Sequence, residues 1–139
     1  MPSRLATMLW LVTLVAARVS FAADEDRFRQ HVAPLLERRC IACHNETDRK
    51  GGLSLQTAAQ LAAGGDGGAV VVPGKPDDSS LWTMVTGDTP EMPKNGKPLS
   101  AEQVAALKQW IADGAHWPSG LSLDEKPAAD TDWWSLHPL

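Results

Sequence analysis

The sequence predicts a small all-α domain with long loops, and three observations carry that expectation. Ser100-Ala101-Glu102-Gln103 is a capping box, with Ser100 at the cap and Gln103 reaching back from the third position. It opens a helix whose apolar stripe is Val104, Leu107 and Ile111, widened by Trp110 and ended at Gly114. Glycine-rich and proline-rich stretches separate the other apolar segments, and almost nothing alternates apolar with polar as a half-buried strand does.

Taken in order, the chain begins with Arg4 and the uncharged apolar run Leu5 to Ala17, followed by Ser20-Phe21-Ala22 and then Asp24-Glu25-Asp26. This reads as a secretory signal at residues 1–22, cleaved after Ala22. The run is shorter than the ~20 apolar residues of a membrane span, so no stable span is expected after cleavage. Arg18 leaves room for an uncleaved anchor. Cleavage removes Arg4 and Arg18 and no acid from a chain of net charge −4, so the mature domain is more acidic still, which argues against a nucleic-acid partner.

Phe28, Val32, Leu35 and Leu36 fall at helical spacing and lead into Cys40, with Pro34 either kinking this helix or opening it. Lys50 to Leu55 is expected as a loop. Thr57 to Ala63 is expected as a short helix with a glycine stop at Gly64-Gly65. Val70-Val71-Val72 is the one possible strand. Gly74-Lys75-Pro76 lacks the ending of a phosphate loop, which excludes nucleotide binding on that motif. A helix capped by Asp77, Asp78 or Ser79 follows, with Leu81, Trp82 and Val85 on its apolar side. Residues 87–99 then form an extended loop.

The only two cysteines lie in Cys40-Ile41-Ala42-Cys43-His44. C-x-x-C-H is the attachment signature of c-type haem: both thiols become thioethers to the porphyrin, and the adjacent histidine is held beside the iron. Other readings fit less well. A thioredoxin-like pair wants a strand-helix-strand setting, a zinc site wants four ligands at recognisable spacing, and a Cys40–Cys43 disulfide would leave His44 unexplained. Covalent haem attachment in bacteria takes place outside the cytoplasmic membrane, so the signal and the motif support each other and place the protein in the periplasm or beyond.

The candidates for the second axial position are Met84, Met92, His31, His116 and His137. Met84 falls in a predicted amphipathic helix, where methionine is usually core filler. Met92 lies in the loop Glu91-Met92-Pro93, where a helical face is not available to bury it, and Pro93 stiffens the backbone. Met92 is the expected distal ligand, His116 the runner-up, and an open or water-bound position the third option. The expected partner of the other His44 ring nitrogen is a backbone carbonyl near Pro73. Leu53, Leu55, Trp82, Leu107 and Trp110 are candidates for the haem wall or for ordinary core. Arg27, Arg29, Arg38, Arg39, Arg49 and Lys50 flank the motif, either as a rim that steers an acidic redox partner or as an ordinary solvated face. The sequon Asn45-Glu46-Thr47 is read as coincidence.

From about Phe28 to Pro118 the chain resembles the planctomycete-type cytochrome c domain. The likeness rests on Val32-Ala33-Pro34-Leu35-Leu36, the haem motif, Gly51-Gly52-Leu53-Ser54-Leu55 and Val72-Pro73-Gly74-Lys75-Pro76. It continues through Ser80-Leu81, Met92-Pro93, Leu99-Ser100, Trp110 to Ala115, and Trp117-Pro118. The resemblance implies a class I cytochrome c-like helical domain at residues 23–118, wrapped around one covalently bound haem c, with the methionine before proline as distal ligand. Lys94 stands where a second proline is common in that family. The segment 119–139, with Trp133-Trp134, resembles the junction to a following domain, so a truncated or split product is expected; the alternative is that the rings fold back onto this domain.

Three function classes follow. The first is a one-electron carrier serving a redox partner protein or fused domain. The second is a haem enzyme or gas sensor with an open distal position, and the third is a haem-free thiol or metal module.

Overall fold

The computed structural model describes residues 23–127, so the expected signal segment and the Trp133-Trp134 and His137 positions lie outside the described residues. The described chain is helical and without strands; pairing is limited to two isolated bridges, Thr57 with Ser122 and Gly65 with Gly68. Val70-Val71-Val72 does not form the possible strand. These residues run irregularly because their polar groups are taken locally: Val72 N–H donates to the Ser79 hydroxyl at 2.8 Å, and Val70 C=O accepts from Leu81 N–H at 3.0 Å.

The first helix resolves the two readings of Pro34. Residues 23–27 are helical, Phe28–Val32 is a π-helical segment, and α1 (Ala33–Arg39) continues to the haem motif with Pro34 in its first turn. Proline has no N–H to donate and its ring crowds the carbonyl four residues back. Widening the preceding turn relieves that crowding, and Ala33 N–H accordingly donates to Phe28 C=O. Phe28 and Val32 are fully buried along this stretch, and Leu35 and Leu36 are buried farther on.

The helix α2 (Ala58–Ala63) starts at Thr57, whose hydroxyl accepts from Gln60 N–H at 3.3 Å, and stops at Gly64, where φ is +72°. The third helix, α3 (Ser80–Thr83), is shorter than expected, because a 3₁₀ turn at Pro76–Asp78 takes up its first residues. Ser79 is buried and does not cap α3; its hydroxyl instead donates to Lys75 C=O at 2.8 Å.

The helix α4 (Ala101–Ala112) forms as predicted, with both arms of the capping box present. It ends in a Schellman motif: Gly114 N–H donates to Ile111 C=O and Ala115 N–H to Trp110 C=O. Leu107, Trp110 and Ile111 are buried, and α4 packs across the π-helical segment. There the Phe28 ring lies 5.5 Å from Trp110 and 4.6 Å from Trp117, centroid to centroid.

Residues 119–127 return to the domain. Leu123 is buried and its N–H donates to Gln56 C=O at 2.8 Å. Lys126 Nζ meets Glu37 Oε2 at 2.6 Å, which provides a counter-charge for a carboxylate that is only 7% exposed.

Candidate functional site

The C-terminus of α1 delivers Cys40 into a tight turn: Cys43 and His44 N–H both donate to Cys40 C=O, at 3.1 and 3.0 Å. Asn45 secures the exit. Its Oδ1 accepts from Thr47 and Asp48 N–H at 2.9 and 2.7 Å, and its Nδ2 donates to Ile41 C=O at 3.0 Å. Asn45 is thus occupied in holding the turn that carries the motif.

The chain then folds back under His44. The Lys50 N–H donates to Cys43 C=O at 3.1 Å, Leu55 N–H donates to His44 C=O at 2.9 Å, and His44 Nδ1 lies 2.9 Å from Lys50 C=O. A carbonyl only accepts, so Nδ1 carries the proton and Nε2 keeps the lone pair that a metal requires. The carbonyl that orients His44 is therefore that of Lys50 and not one near Pro73. The reason is the 3₁₀ turn Lys50–Gly52, which reverses the chain immediately after the motif.

Glycine permits that reversal. Gly51 and Gly52 have φ of +67° and +69°, and a Cβ on Gly52 would lie 2.3 Å from Asp66 Oδ1 and 3.0 Å from Asp66 N. Asp66 N–H in turn donates to Gly51 C=O at 2.8 Å, locking the turn against the segment after α2.

A small apolar cleft of about 80 Å³ opens beside the motif. Leu53, Leu55, Val70, Leu81, Val85 and Leu99 supply its apolar wall. A larger second cleft of about 560 Å³ adjoins it, lined by Cys43, Arg38, Lys50 and Lys94 among others. Cys40, His44, Met92, Pro93 and Arg39 line both. The four expected site residues Cys40, Cys43, His44 and Met92 are thus brought to one continuous slot, although 48 residues of sequence separate His44 from Met92. Met92 is placed by its N–H, which donates to Met84 C=O at 2.9 Å, and the Met92–Pro93 peptide is cis.

The remaining candidates divide clearly. Leu53 and Leu55 do line the cleft, whereas Leu107 and Trp110 are buried core residues outside its lining, and Trp82 packs against that core with Lys108 Nζ 4.5 Å from its ring centroid. His31 is exposed on the first helix. His116 lies in a small separate hollow with Asp24, Arg27, Trp110 and Asp113. Of the basic residues, Arg27 pairs with Asp113 instead of joining the slot. Lys94, outside the basic run noted in the sequence, joins Arg38 and Lys50 in the second cleft.

Met84 is not the core filler expected of it. It is 41% exposed and lines the apolar cleft, because α3 ends one residue before it. A large apolar side chain left at the wall of an apolar cleft is what a planar apolar ligand would cover. Both cysteines are free thiols. Burial pushes the Cys40 thiol up to about 11, against the opposing charge of Arg39, so it is a poor thiolate at neutral pH and a poor catalytic nucleophile. Groups of three or more His, Cys, Asp or Glu able to hold a bare metal ion are absent among the described residues. Two thiols, one oriented imidazole and a thioether around an apolar slot are the donor set of a c-type haem.

Residues 40–96 match the family model for planctomycete cytochrome C. This part of the chain is similar to planctomycete cytochrome C. The matched segment begins at the first haem cysteine and ends in the loop after Met92. It holds most of the lining of the slot, but not Arg38, Arg39 or Leu99, nor the π-helical segment and α4. No curated protein and no solved structure matches the chain.

Proposed function

We propose that this c-type haem domain is a one-electron carrier in which Cys40 and Cys43 hold the haem and His44 and Met92 are its two axial ligands. The observation that carries this reading is that Cys40, His44 and Met92 each line both parts of one slot, with His44 held by Lys50 C=O so that Nε2 is the free nitrogen. When bound, a c-type haem supplies reversible one-electron chemistry at its iron. The chain's own contribution is to fix the donors and exclude water. Leu53, Leu55, Val70 and Leu81 make the slot apolar, and the Lys50 turn prevents rotation of the imidazole. A thioether opposite an imidazole raises the potential relative to two imidazoles, and occupying both axial positions leaves no place for substrate.

The partner proposed is an acidic face of a redox protein or fused domain. Arg38, Lys50 and Lys94 line the larger cleft together with Cys43 and His44, and acidic side chains are absent from that lining. A basic cluster on an acidic molecule orients such an encounter. The proposed location is outside the cytoplasmic membrane, supported by the family match and by the signal pattern at residues 1–22. Among the described residues, no helix is long and apolar enough to cross a membrane.

The test is the absorption spectrum of the holoprotein and of Met92→Ala. Both should show a reduced c-type haem, and the variant alone should lose the far-red charge-transfer band of thioether-ligated ferric haem and bind carbon monoxide readily. A variant that keeps the wild-type band removes Met92 as ligand. Ready carbon monoxide binding by the wild type would replace the carrier with the sensor reading.

A further inference from the structure

The loop that follows Met92 has little holding it. Among the described residues, the stretch 93–99 makes one hydrogen bond: Arg39 Nη2 donates to Lys97 C=O. The neighbouring Gly96 sits at φ +93°, with the same guanidinium nitrogen 3.9 Å from where its Cβ would be. Arg39 is the last residue of α1, immediately before Cys40, and it is half-buried and lines both parts of the slot. One end of this contact is therefore rigidly attached to the haem-binding motif, and the other belongs to the loop that presents Met92.

We infer that Arg39 is a positioning residue that fastens the 93–99 loop to the end of α1 and so keeps the Met92 thioether facing His44. This rests on the reading of Met92 as the distal ligand. Thioether–iron bonds are weak enough that the loop's own conformational freedom competes with them. A loop of seven residues tied at one interior point has fewer detached conformations than one tied only at its ends. A charge-assisted hydrogen bond is the strong kind, and its length and fork geometry are specific to arginine.

The test compares holoprotein variants Arg39→Gln and Arg39→Lys with wild type, with Met92→Ala as the ligand-free reference and Arg29→Gln as a charge control. Arg29 is exposed on the first helix and lies outside the slot. Four readouts are needed: the far-red band, the pH at which it disappears, the carbon monoxide binding rate, and thermal unfolding. Arg39→Gln should weaken the band, lower the pH at which it is lost, and raise carbon monoxide binding by about tenfold. Arg39→Lys should fall between it and wild type, and Arg29→Gln should match wild type.

A band, pH profile and carbon monoxide rate unchanged in Arg39→Gln overturn the inference while leaving Met92 as the ligand. If Met92→Ala itself keeps the band, the ligand reading falls and the inference with it. A drop in thermal stability with the three haem readouts unchanged assigns Arg39 a folding role and likewise overturns it. Should Arg39→Gln not yield holoprotein, the same haem readouts on Arg39→Lys decide.

Discussion

The site depends on individual residues whose freedom or reactivity is set by their immediate surroundings. Gly51 and Gly52 share a left-handed backbone, which costs a non-glycine residue about 1–2 kcal/mol, but only Gly52 faces an obstacle. Gly52→Ala should therefore destabilise the protein clearly more than Gly51→Ala and should disturb the Lys50 carbonyl beneath His44. Equilibrium unfolding of the two variants, with the reduction potential as second readout, checks the difference. Cys40 offers a second test in the haem-free protein. Its thiol titrates near 11 against an ordinary value of 9.0, so the unfolded chain releases this proton first. Between those values the folded form binds more protons, and stability falls as pH rises. At pH 8, alkylation of folded Cys40 should run roughly 100-fold slower than in denaturant, as read by peptide mass mapping. Equal rates in the two states would show the thiol to be unshielded.

Elements do different work according to how they are held. The helix α4 is anchored at both ends, by its capping box and its Schellman motif, and it buttresses the first helix through Trp110 rather than touching the slot. Ser100→Ala should cost about 1 kcal/mol in thermal unfolding while leaving the haem spectrum unchanged, because the cap lies at the far end of the helix from Trp110. The π-helical segment is a consequence of Pro34. It lets one continuous helix run into the haem motif, so Phe28 in the core and Cys40 in the slot sit on one rigid body. The loop 87–99 is the opposite case, with few internal hydrogen bonds, and it bears the residue whose placement matters most.

At the scale of the whole molecule, the first helix joins the aromatic cluster of Phe28, Trp110 and Trp117 to the slot, which the end of that helix lines through Arg38, Arg39 and Cys40. Residues 119–127 complete this arrangement by burying Leu123 and pairing Lys126 with Glu37 on α1. A chain ending at Pro118 should lose roughly 2 kcal/mol from the Leu123 side chain alone and leave the Glu37 carboxylate without its partner. Its Tm should drop by something on the order of 10 °C relative to a chain ending at Pro127. Equal melting temperatures would mean that this segment adds nothing to the domain.

Local chemistry was legible in the residues themselves. Cys40, Cys43 and His44 are adjacent, and the capping box of α4 is defined by residues three apart, so short-range geometry made both readable without a fold. The domain type was legible as well, through the order of motifs from Gly51 to Pro93. What needed the tertiary structure was everything that depends on where a loop turns back. The orienting carbonyl belongs to Lys50 because two glycines reverse the chain there. Met84 reaches the slot because α3 is only one turn long, and Lys94 lines the second cleft because the loop after Met92 runs beside it. Arg39 meets Lys97 across 58 residues. Such contacts form only after distant segments have been packed together by the burial of apolar surface, which periodicity and spacing along the chain do not encode.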